Sequence, residues 1–145
     1  MTTIWTIGYE RLLPEQLGAE LRAARIERVI DVRYRPQSRR PGMSKTRLGE
    51  LLASHGIAYE HRRALGTPAD LRRDFHAGRI EPARAAYRAY VERESAAELA
   101  ELADELPGGL RTALLCLEED PARCHRRVLT ELLGERHGDL AVVDL

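Results

Sequence analysis

The stretch that most constrains this fold runs from Arg111 to Arg127. It contains Thr112-Ala-Leu-Leu-Cys-Leu117, a run without a single charge. Continuous apolarity of this kind describes a strand covered on both faces, as inside a parallel sheet. Acidic residues follow at once, then Asp120-Pro121, which reads as a cap and a first-turn proline. The spacing predicts a helix from there to Leu133. A strand end feeding a helix start is where open α/β proteins place ligands. Cys116, Glu118, Cys124, His125 and Arg126 all lie at or beside that joint.

The rest of the chain alternates in the same way. Thr3–Gly8 is β-branched and aromatic and reads as a first strand, with Gly8 and Tyr9 at its carboxyl end. Pro14 suits the first turn of a helix that uses Leu17 and Leu21. Arg28–Arg33 reads as a second strand in which the carboxylate of Asp31 emerges between Ile30 and Val32. A loop rich in proline and arginine follows, then a helix capped by Ser44 and closed by Gly56. Ile57–Glu60 is a third strand, and helices are expected after Thr67-Pro68, from Pro82 to Arg93, and after a capping box at Ser95 and Glu98. Asp139–Asp144 is the last strand. This alternation predicts one α/β domain over residues 1–145, a three-layer, Rossmann-like fold around a mainly parallel five-stranded sheet. Right-handed crossovers in a doubly wound arrangement suggest the order 3-2-1-4-5. Gly8-Tyr9, Asp31-Val-Arg33 and Cys116-Leu-Glu118 would then converge on one crevice.

Composition excludes some classes of function. Lys and Arg number 23 and Asp and Glu 23, so the whole molecule carries no bias toward nucleic acid or an anionic membrane. Locally the charges segregate: residues 31–47 hold six basic residues against one Asp. The first residues lack the pattern of a secretory signal, and no apolar run approaches a bilayer's thickness, so a cytoplasmic protein with reduced thiols is expected. Two cysteines are too few for a disulfide framework.

Several residues have chemistry to offer, and each has a plainer reading beside it. Cys116 and Glu118, two apart on a strand, share a face. They read either as nucleophile and proton carrier or as a core cysteine and a surface acid. Cys124 and His125 stand at a helix start, where unpaired N–H groups favour anions and lower a thiol's pKa. They also continue an apolar stripe through Val128 and Leu132. Cys124 is a second candidate nucleophile, and Asp31 and His125 are further candidates for proton transfer. Arg33, Arg39 and Arg126 are candidates to hold an anion, with Tyr9 beside them for stacking. The Cys-x7-Cys-His spacing is not a usual zinc pattern, and His55 or His61 would have to complete it, so no metal centre is expected. A cysteine-phosphatase loop is excluded because six residues, not five, separate Cys116 from Arg123. No dinucleotide fingerprint follows the first strand, and nothing in the chain names a cofactor.

Taken together, Thr6-Ile-Gly8-Tyr9, Asp31-Val-Arg33 with Pro36 and Ser38-Arg39, Pro41-Gly-Met-Ser-Lys45, Gly56-Ile-Ala-Tyr59, Leu65-Gly66, and Leu115-Cys116-Leu-Glu118 with Cys124-His125-Arg126 resemble the DUF488 family. The resemblance implies a compact α/β domain whose signature residues gather near the strand carboxyl ends. Gly8 and Tyr9 at the crevice are candidate binding residues already; the resemblance adds Pro36, Ser38 and Lys45, and it implies no particular reaction. The expectation is a small intracellular enzyme acting on an anionic, nucleotide-like or phosphorylated substrate. A non-catalytic module for nucleotides or nucleic-acid components is the alternative, and a purely structural domain the third. Oligomeric state is not encoded in any feature of the sequence.

Overall fold

A computed structural model describes all 145 residues. Five strands form one parallel sheet: β1 (Thr2–Gly8), β2 (Arg28–Asp31), β3 (Ala58–His61), β4 (Thr112–Cys116) and β5 (Leu140–Asp144). Six helices connect them: α1 (Pro14–Ala23), α2 (Lys45–Ser54), α3 (Ala69–His76), α4 (Ile80–Glu94), α5 (Ala96–Glu105) and α6 (Arg126–Arg136). None is long and apolar enough to cross a membrane.

The class is the expected one, but the strand order is 3-2-4-1-5 rather than 3-2-1-4-5. The uncharged strand β4, buried at every residue, takes the centre between β2 and β1. Apolar patterning reports which faces of a strand are covered, not which strand lies alongside, so both orders satisfy it equally. In the observed order α1 crosses over β4 to reach β2, and α6 crosses over β1 to reach β5.

Strand side chains alternate between two cores. On one face, Trp5, Ile7, Val29 and Leu115 pack against Leu17 and Leu21 of α1 and Leu48 and Leu52 of α2. On the other, Ile4, Ile30, Leu114 and Cys116 pack against Tyr87, Leu102 and Leu129 from α4, α5 and α6. The result is three layers with the carboxyl ends of β1, β2 and β4 side by side.

Two local expectations are corrected. The helix expected from Asp120 is split. A short 3-10 turn covers Pro121–Arg123, with Asp120 accepting from the Ala122 N–H (3.0 Å), and α6 starts only at Arg126. Cys124 between them has extended backbone (φ −143°), and its sulfur accepts from the first N–H of α6, that of Arg126. The Ser95 hydroxyl does not cap α5. It donates instead to the Ala64 carbonyl (2.5 Å), tying that turn to the loop after β3.

Candidate functional site

A narrow cleft opens at the carboxyl ends of β1, β2 and β4. Cys116, Cys124, His125 and Glu118 form its floor and one wall, Tyr9 and Arg33 another. Thr67, Arg72 and Phe75 from α3 and the segment before it face them, with Tyr34, Arg35 and Gln37 at the rim. The cavity volume is about 30 Å³, room for one or two water-sized groups. It continues outward into a groove lined by Ser38, Arg39, Arg40 and Arg72.

Sequence proximity builds the floor. Cys116 is the last residue of β4, and Cys124 returns to it through the loop and 3-10 turn that follow. The two sulfurs are 3.1 Å apart, and the Glu118 carboxylate lies 3.3 Å from the Cys116 sulfur. One thiol hydrogen on Cys116 therefore has two acceptors in reach, the Cys124 sulfur and Glu118 Oε2. The far oxygen of Glu118 meets His76 Nε2 at 3.3 Å.

Arg126 decides the charge of this group. It is 1% exposed, yet no carboxylate is among its hydrogen-bond partners. Its guanidinium donates to the Cys124 sulfur (3.4 Å), to the Thr6 hydroxyl (3.1 Å) and to the carbonyls of Glu118 and Glu119, while its backbone N–H also donates to the Cys124 sulfur (3.4 Å). A buried cation without a counter-charge costs several kcal/mol, roughly, so the site favours an anion at the one partner able to ionise. Burial alone would raise the Cys124 pKa; the hydrogen bond from Cys116 and the charge of Arg126 outweigh it and lower the pKa. Burial, followed by the neighbouring Cys124, raises the pKa of Cys116 far above the ordinary thiol value. The environment thus shifts the two thiols in opposite directions, with Cys124 the one more readily ionised.

His125 is also buried. Its Nε2–H donates to the Val32 carbonyl (2.6 Å) and its ring stands edge-on to Tyr87, with centroids 5.2 Å apart. Burial holds its pKa down to about 4, so the imidazole is neutral near pH 7.

The Asp31 cluster reaches the same rim from the opposite face of the sheet, the side of Val29 rather than of Ile30 and Val32. Asp31 is wholly buried. Its oxygens accept from Arg33 Nε (2.9 Å), Arg33 Nη2 (2.7 Å) and the Tyr59 hydroxyl (2.6 Å). Arg33 Nη1 donates to the Tyr9 hydroxyl (3.2 Å) and the Met43 carbonyl (2.7 Å). Burial works against the Arg33 charge, but Asp31 more than restores it. Arg33 lines the cleft with four of its five side-chain donors engaged, and Asp31 lies behind it.

The structure brings Tyr9, Arg33, Cys116, Glu118, Cys124 and His125 together around one opening, with Ser38 and Arg39 in the outer groove. Pro36 and Lys45 lie outside both linings: the Pro36 carbonyl accepts from the Lys45 backbone N–H (2.8 Å), which closes the basic loop onto α2. Gly8 is buried where the loop after β4 crosses the end of β1, and a Cβ there would overlap the Glu118 carbonyl. Arg126 sits beneath the floor. Thr67, Arg72 and Phe75 had no signal in the sequence, because an arginine on one exposed helix looks like any other until the fold turns it toward the cleft. Arg35, Arg39 and Arg72 have no ion-pair partner in the protein and are exposed.

The family model described as a domain of unknown function, DUF488, matches residues 14–133. The chain belongs to the DUF488 family. The matched span runs from α1 to the body of α6, so β1 and β5 flank it. It includes the Asp31–Arg33 turn, Cys116, Glu118, Cys124, His125 and Arg126. No curated protein and no solved structure matches this DUF488 chain.

Proposed function

We propose that this DUF488 domain is an enzyme that attacks an anionic substrate with the thiolate of Cys124. The observation that carries the reading is the buried guanidinium of Arg126, whose only ionisable hydrogen-bond partner is the Cys124 sulfur. A purely structural cysteine has no use for a buried cation, whereas a nucleophile is activated by one. The inner slot admits only the reacting end of a substrate. Its charged remainder lies among Arg35, Arg39 and Arg72, whose guanidinium groups suit carboxylate or phosphate. Glu118 is the proton carrier, within reach of Cys116 and of the cleft. Asp31 and His125 are positioning residues: the first fixes Arg33, the second joins the floor to β2.

Alkylation of the native protein tests this. Iodoacetate, an anion with a small reactive end, is expected to modify Cys124 and spare Cys116, at a rate that stays high below pH 8, where a free thiol slows. Arg72→Ala is expected to slow iodoacetate about 10-fold and neutral iodoacetamide by less than about 2-fold. Cysteines that resist both reagents until the protein unfolds would leave a domain with two core thiols and no nucleophile.

A further inference from the structure

A single nucleophile explains Cys124 but not its companion. Cys116 is placed 3.1 Å from the attacking sulfur, in the same cleft, with a carboxylate oxygen 3.3 Å from its own sulfur. Any substrate fragment held covalently on Cys124 is therefore within reach of a second thiol. A mechanism that ends in hydrolysis gains nothing from that neighbour and is exposed to interception by it.

We infer that Cys124 and Cys116 form a two-thiol reducing centre whose substrate is an anionic disulfide. The inference rests on Cys124 being the nucleophile. Its sulfur attacks one sulfur of R–S–S–R′, forming a Cys124–S–S–R bond and breaking the R–S to S–R′ bond, so that R′–S⁻ leaves. Cys116 then passes its proton to the Glu118 carboxylate and attacks the Cys124 sulfur. The Cys116–Cys124 disulfide forms, R–S⁻ departs, and it takes the proton from Glu118 as R–SH. The substrate has gained two electrons and the protein has lost two. Two equivalents of a low-molecular-weight thiol restore the dithiol and leave as their own disulfide.

The surroundings fit each half of this cycle. Bond formation needs the sulfurs to close by about 1 Å. The chain between them, residues 117–123, is loop and one short 3-10 turn, with no strand or long helix to hold it rigid. Arg126 makes the disulfide a transient. Once Cys124 is no longer an anion, the guanidinium is buried among neutral partners, so the oxidised form is raised in energy and ordinary thiols reduce it readily. Arg72 and Arg39 at the mouth select a disulfide that carries negative charge, and the narrow inner slot selects an unbranched one.

The test uses the full chain and dithiodiglycolate, a small disulfide with a carboxylate at each end, with mass spectrometry after acid quenching. In the wild-type protein the expected product is the internal disulfide with no retained thioglycolate, reversed by added thiol. In Cys116→Ser one thioglycolate is expected to remain on Cys124, and in Cys124→Ser none. Arg72→Ala should slow the reaction about 10-fold with dithiodiglycolate and less than about 2-fold with neutral hydroxyethyl disulfide. If Cys116→Ser does not fold, a quenched time course of the wild-type protein serves instead, with the mixed disulfide on Cys124 rising before the internal one. Thioglycolate retained by the wild-type protein would overturn the two-thiol centre. If iodoacetate still labels Cys124 in that case, the nucleophile survives and only the pairing falls. If neither reagent reacts with Cys124, both readings fall together.

Discussion

Two arginines of the site are buried, one in the cleft wall and one beneath the floor, and each finds its negative charge in a different place. Arg33 has a carboxylate held in a two-pronged bond by Asp31; Arg126 has only a sulfur of adjustable charge. Removing the fixed charge should therefore cost stability, while removing the partner of the adjustable one should cost reactivity. Asp31→Asn keeps the shape but leaves the Arg33 guanidinium among neutral groups, and a loss of about 3–5 kcal/mol is expected in urea unfolding. Adding Arg33→Met to Asp31→Asn should recover most of that loss, because an apolar pair of similar volume needs no counter-charge. Arg126→Met should leave the thiol of Cys124 protonated. Its alkylation at pH 7 is then expected to fall at least about 10-fold in a protein that still folds, as read by circular dichroism beside the labelling rate.

At the scale of elements, the site depends on how closely β1 lets the loop after β4 approach. Backbone N–H groups of Tyr9 and Glu10 donate to the carbonyls of Cys116 (3.2 Å) and Leu117 (2.8 Å), and Gly8 leaves room for the Glu118 carbonyl that Arg126 also holds. Gly8→Ala places a methyl against backbone that has no side-chain freedom to yield. A loss of about 1–3 kcal/mol in thermal unfolding is expected, together with slower labelling of Cys124. Gly134→Ala is the contrast: it lies inside α6 with nothing within 4 Å of an added Cβ, and should stabilise the protein by about 0.5–1 kcal/mol. The elements themselves were legible in the sequence, since short apolar or β-branched runs alternate with helix-spaced stretches along the chain. Lateral strand order was not, because a buried strand looks the same beside any neighbour. The floor of the site was legible because Cys116, Glu118, Cys124 and His125 are close in sequence. Its far wall was not: Thr67, Arg72 and Phe75 arrive from the long excursion between β3 and β4, and nothing local marks them. Nor does charge alone distinguish an arginine under the floor, such as Arg126, from one at the mouth, such as Arg72.

For the whole molecule, acidity should be a sharper stress than its balanced charge suggests. With 23 basic and 23 acidic residues, net repulsion is small near neutrality, so the response to pH is set by particular buried groups. His125 is the main one. Burial keeps its imidazole neutral down to about pH 4, whereas in the unfolded chain it takes a proton near its ordinary value of 6.5. Between those limits the unfolded state binds the proton and the folded state does not, so stability declines as pH falls through that window, by about 3 kcal/mol in all. Above pH 6.5 both states are neutral and the group contributes no slope. Glu105 adds to the loss at the acid end, because its hydrogen bonds from Arg62 and Arg28 hold its pKa below the ordinary carboxylate value. Urea unfolding at pH 7 and at pH 4.5 measures the combined effect. His125→Gln removes the imidazole titration while leaving Glu105 in place, so most of the decline between those two pH values should vanish in that variant even if it is less stable at both. A decline of equal size in the two proteins would assign the acid sensitivity elsewhere and would mean that the imidazole is not held neutral against Val32.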